Sequence, residues 1–101
     1  MKLTLESGRV VADANEHDIL ASIEREEFAI LGVDSQTYVQ CAKQTERPDE
    51  YVLEYQDGGT DRHYRAVDGP ITLDRVIAAF LKYLRQDSSW QSDFQWERME
   101  F

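Results

Sequence analysis

Positive charge is scarce in this sequence: 11 Lys and Arg stand against 20 Asp and Glu, a formal net charge of -9. So acidic a surface repels nucleic-acid phosphate and attracts basic groups. The expected partner is therefore a protein, either a basic one or a second copy of the chain as a homodimer, and no nucleic acid. Cysteine occurs once, as Cys41. One thiol makes no intrachain disulfide and no CxxC pair for metal or redox chemistry, which fits a reducing compartment. No apolar run approaches the ~18 residues of a membrane span, and the opening MKLTLESGRVV lacks the continuous apolar stretch of a secretory signal. The expectation is a cytoplasmic protein without membrane contact.

The motifs of catalysis are missing as well. There is no GxSxG elbow, no GxxxxGKS/T phosphate loop, no GxGxxG, no HExxH and no EF-hand spacing. With 2 His and 1 Cys the chain has few strong metal donors, so neither a metal nor a cofactor is expected. His17 has no second nitrogen or thiolate ligand at helical spacing and reads as an exposed or capping residue. Cys41 alternates with Val39 and reads as a small buried apolar side chain.

What is present is core-forming material. A chain of 101 residues with 42% hydrophobic and 11% aromatic content makes one globular domain spanning 1–101. The clearest period lies in Pro70 to Gln86, where Leu73, Val76, Ile77, Phe80, Leu81 and Leu84 gather on one stripe of an α-helix. Thr72 is placed to cap it, Asp74 sits near its positive end, and Lys82 and Arg85 sit near its negative end. A helix so one-sided needs a flat apolar partner.

Strand patterns supply that partner. Lys2 to Leu5 alternates, Ser7-Gly8 can turn the chain, and Arg9 to Ala12 can return, with Leu5 opposite Val10 and Leu3 opposite Ala12. Asp13 and Glu16 have capping-box spacing before a helix over 14–26, whose Ile19, Leu20 and Ile23 share one side. Phe28 to Val33 has the length of a buried strand, and Tyr38 to Lys43 alternates. Pro48 and the charges around it make Thr45 to Asp49 a loop. Tyr51 to Gln56 and Asp61 to Val67 form a hairpin. A two-residue Gly58-Gly59 loop places Leu53 opposite Tyr64, Tyr51 opposite Ala66 and Glu54 opposite His63. Phe94 and Trp96 alternate in a last strand, and Met99 and Phe101 fall on the other parity.

The predicted class is α+β, a mostly antiparallel sheet in the order β-β-α-β-β-β-β-α-β with two helices on one face. In outline, a small acidic domain with a charged hairpin and a Trp-containing tail resembles bacterial immunity or inhibitor proteins that neutralise a toxic enzyme, although no motif carries the resemblance. The leading functional reading is a non-enzymatic protein-interaction domain, immunity-like, inhibitor-like or a homodimeric accessory protein. Its contact regions are the open sheet face and the C-terminal strand with Met99 and Phe101. The alternative is a small-molecule or catalytic site built on Glu54, His63 and Arg65 with Tyr38, since a carboxylate beside an imidazole can orient it for proton transfer. A concave pocket enclosing His63 favours the second reading, and a flat face favours the first.

Overall fold

A computed structural model describes residues Met1–Phe101. The strands are β1 (Lys2–Leu5), β2 (Val10–Val11), β3 (Phe28–Asp34), β4 (Thr37–Lys43), β5 (Tyr51–Asp57), β6 (His63–Ala66) and β7 (Trp96–Arg98). Helix α1 (Glu16–Ser22) follows β2, and α2 (Leu73–Leu84) follows β6. The fold is α+β in the expected order. One 7-stranded sheet runs β2-β1-β3-β4-β5-β6-β7 with every neighbour antiparallel, and both helices pack on one of its faces.

Alternation along each strand decides which side is covered. Leu3, Leu5, Ala29, Leu31, Val39, Cys41, Tyr51, Leu53 and Ala66 point toward the helices and are buried. Val76, Ala79 and Phe80 of α2, with Ile19 and Ile23 of the α1 segment, meet them from above. The helical stripe read from the sequence is therefore the one that packs. The C-terminal aromatics close the β7 end of this core: Tyr55 stacks on Tyr64 at 5.0 Å, and Trp90 and Trp96 meet Tyr55 edge-on at 4.8 and 4.7 Å. Such pairs add roughly 0.5–1.5 kcal/mol each beyond the area they bury.

Several local expectations are corrected. The first hairpin loop spans three residues, Glu6-Ser7-Gly8. Gly8 at φ 91° and the Leu5 N–H to Arg9 carbonyl bond of 3.0 Å show the left-handed glycine that closes such loops. Leu3 therefore stands opposite Val11 rather than Ala12, and Val10 turns to the other side, 54% exposed. Helix α1 starts two residues later than Ala14, because Asn15 and not Asp13 forms the capping box with Asp18, through bonds of 2.9 Å each way. The helix also ends early, at Ser22, and Leu20 is exposed. Thr72 occupies the N-cap position of α2, but its hydroxyl makes no capping bond. Phe94 lies before β7 and is buried against Trp96 at 5.4 Å.

The second hairpin departs from expectation in loop length and register, and its second strand begins at His63 rather than Asp61 and ends at Ala66. Thr60–Arg62 form a 3-10 turn, Arg62 N–H bonds the Gly59 carbonyl at 3.0 Å, and Gly58 N–H bonds the Gln36 carbonyl of the β3–β4 turn at 3.0 Å. These bonds hold Gly58-Gly59 in a longer loop. Tyr55 then faces Tyr64, Glu54 faces Arg65 and Gln56 faces His63. The slip is an even number of residues, so each side chain keeps its predicted face.

Candidate functional site

The helix-free face carries the residues singled out above. Register and alternation place Tyr38, Glu54, His63 and Arg65 on it, and Met99, whose N–H donates to the His63 carbonyl at 2.8 Å, lands beside His63 on the same side. Phe101 sets its ring edge-on to the imidazole, 5.1 Å between centroids and 89° between planes. Strand pairing thus brings residues from three distant stretches of sequence to one place.

At the centre is a polar network. His63 Nε2 lies 2.6 Å from Glu54 Oε1, and His63 Nδ1 lies 2.9 Å from Gln56 Oε1. The Gln56 amide is oriented by its own Nε2, which donates to the Gln36 carbonyl at 3.1 Å, so its oxygen faces the ring. That same oxygen accepts the Tyr38 hydroxyl at 3.2 Å, while Glu54 Oε1 accepts Gln40 Nε2 at 3.1 Å. Both imidazole nitrogens therefore face acceptor oxygens, and the ring is locked from both ends. Burial of the Tyr38 ring, then the Glu54 carboxylate, raises the Tyr38 hydroxyl above the usual phenol range. A glycine opposite Tyr38 gives it room: a Cβ at Gly32 would come within 3.2 Å of the Tyr38 Cβ and 3.1 Å of the Asp34 carbonyl oxygen.

The centre of the network, His63 with Gln56, is buried, while Tyr38, Gln40 and Glu54 around it are partly exposed. His63 is only 3% exposed although no helix covers it, because Tyr38, at 6.1 Å and tilted 65°, and Phe101 lie against its ring. Arg65 stands opposite Glu54 on the neighbouring strand but forms no ion pair with it. None of the three main clefts is lined by His63: one of about 920 Å³ runs past Arg65 and Met99, one of about 140 Å³ lies over Phe28, Ile30 and Val52, and one of about 510 Å³ lies beside Tyr38 and Gly32. Glu54, His63 and Arg65 are neighbours that do not converge on a shared concavity. Gln36 and Gln40 escaped the sequence reading. Gln40 was within reach of it, because a β4 that alternates from Tyr38 places Gln40 on the face of Tyr38.

Elsewhere the chemistry is quiet. Cys41 is buried, and that burial pushes its thiol up to about 12, far from the range of a reactive thiolate. His17 is exposed on α1. No three His, Cys, Asp or Glu side chains are gathered so as to hold a metal ion, and no helix is long and apolar enough to cross a membrane.

Around the network the open face carries an apolar patch and no net charge. Phe28, Ile30, Ala42 and Val52 form its floor on one side, Met99 and Phe101 its edge on the other, and Phe101 is 81% exposed. Within the strands its formal charges, Lys2 and Arg65 against Glu54 and Glu97, cancel. No family model matches the chain, and neither a curated protein nor a solved structure is significantly similar to it.

Proposed function

We propose that this chain is a non-enzymatic protein-interaction domain whose contact region is the helix-free sheet face together with the β7 edge. One observation carries the reading: a 7-stranded sheet has helices on one side only, and its other side keeps Phe28, Ile30, Val52, Met99 and Phe101 around a polar network centred on the buried His63. Apolar and aromatic groups ringed by satisfied polar ones are the composition of a protein contact surface. The burial of His63 supports this reading over a catalytic one, since a general base must reach the proton it moves. Two kinds of partner suit the surface. A second copy meets a face without net charge, as in a homodimeric accessory protein. A basic protein is drawn by the acidic remainder of the surface, as an inhibitor or immunity protein draws its target.

The test is a photo-cross-linking residue placed at Phe101 in the native host, with the same residue at Asp74, exposed on the far side of α2, as control. A discrete cross-linked protein at Phe101 and none at Asp74 is expected. No product at Phe101, or the same products from both positions, counts against an interaction domain.

A further inference from the structure

The outer edge of β7 has a charge pattern that only one pairing satisfies. On its inner side, Val67 N–H donates to the Gln95 carbonyl at 2.9 Å and Met99 N–H to the His63 carbonyl at 2.8 Å. Residues 95, 97 and 99 therefore spend their backbone groups on β6. Antiparallel alternation turns the N–H and C=O of Trp96, Arg98 and Glu100 outward, where no strand follows. Arg98 and Glu100 are exposed, and neither has an ion-pair partner within the chain.

We infer that this edge pairs antiparallel with the same edge of a second copy, about a two-fold axis through Met99. The inference rests on the interaction reading above and names its partner. Keeping both helical layers on one side of the joined sheet requires residues of like parity to face each other, so the axis passes through a residue of the edge. At Trp96 it sets Arg98 against Phe94 and matches neither charge, and at Glu100 it sets that carboxylate against its own copy. An axis at Glu97 sets that carboxylate against its own copy, and an axis at Arg98 sets guanidinium against guanidinium, both destabilising. At Met99 the like charges separate. Arg98 then faces Glu100 of the second copy and Glu100 faces its Arg98, and these are the outward-bonding positions, so backbone and side chains agree. Met99 meets Met99 at the axis, and the exposed Phe101 comes down beside Glu97 of the other copy on the open face. A closed two-fold of this kind satisfies both edges at once and forms no open filament. The opposite edge of the sheet, β2, offers only 2 residues.

Sedimentation of the full chain from micromolar to millimolar concentration tests this, with Arg98→Glu, Glu100→Arg and the double reversal. A reversible dimer is expected. Each single reversal makes both cross-axis pairs repulsive and should weaken it about tenfold or more, and the double reversal should restore it. Both side chains are exposed, so the variants should melt with the parent. A monomer throughout the range overturns the pairing, and a dimer indifferent to the single reversals overturns its register. The two readings fail separately. A monomer whose position 101 still cross-links to another protein loses only self-pairing, whereas a monomer with no cross-linked product loses both.

Discussion

Glu54 Oε1 lies 2.6 Å from His63 Nε2 although the two residues are not directly opposed in the ladder, Glu54 facing Arg65 and His63 facing Gln56. The contact is diagonal, and its imidazole is covered by Phe101 and Tyr38. Removing Glu54 leaves the buried His63 Nε2 without its acceptor, which typically costs ~1–3 kcal/mol, and removing His63 leaves the partly buried Glu54 carboxylate with Gln40 alone. Glu54→Ala and His63→Ala are each expected to destabilise by that order in urea unfolding. The double variant should lose much less than the sum, giving a coupling near or above about 1 kcal/mol. Additive losses would show that the two side chains do not meet.

Asp68 joins the end of β6 to the core's other side. Burial raises its pKa, but the Arg75 guanidinium at 2.9 Å and the Gln95 N–H at 3.1 Å outweigh burial and hold the carboxyl below its ordinary range. A carboxyl depressed in the folded state stabilises fully above its unfolded value, ~3.9, and that stabilisation is lost as pH falls through the lower folded value. Asp68→Ala should therefore be less stable than the parent at neutral pH, with the gap narrowing below about pH 4. A gap that is constant or widens in acid, measured by thermal melting, would contradict the assignment.

How far the sequence reveals this molecule depends on which interactions are local. The α2 stripe, the strand order along the chain and the face of nearly every strand residue follow from periods of 3.6 and 2, which neighbouring residues impose on one another. Register does not follow. Gly58 is drawn to the Gln36 carbonyl across the sheet, a contact that no pattern within the hairpin contains, and the ladder closes at Gln56 and His63. The capping box is ambiguous in the sequence because Asp13–Glu16 offers the same spacing two residues before Asn15–Asp18, and Asp13 has no capping bond here. The candidate residues were legible as members of one face because an even slip keeps parity. Their burial was not, since it depends on where Phe101 comes to rest.

Tyr83 exposes an imperfection. Its ring packs 5.7 Å from Trp90, yet its hydroxyl is buried without a hydrogen-bond partner, and burial pushes its pKa up to about 12. An unsatisfied buried hydroxyl is a net cost that phenylalanine avoids at nearly the same shape. Tyr83→Phe should raise stability by about 1 kcal/mol, read as a higher urea midpoint at unchanged slope. A drop of similar size would mean that the hydroxyl finds a partner in solution.

The last expectation concerns the helix that covers the sheet. Phe80 is 0% exposed at the centre of the α2 stripe, where Val76 and Ala79 flank it and the β4–β5 surface lies beneath. Truncation to alanine removes a large buried ring and leaves a cavity that close-packed neighbours fill only in part, a loss of ~3–5 kcal/mol. Lys82, two residues on, points outward and reaches Asp93 Oδ2 at 2.7 Å, with both side chains about a third to a half exposed (32% and 45%). Exposed pairs of that kind contribute ~0–1 kcal/mol, because solvent screens them and ordering two side chains costs entropy. The two substitutions sit on one helix and differ little in helix propensity, so their comparison isolates burial. Phe80→Ala should melt far below Lys82→Ala, near the limit of what a domain of this size survives. Equal melting temperatures would place the buried stripe on another face of α2 and remove the reason for the opposite sheet face to be the uncovered one.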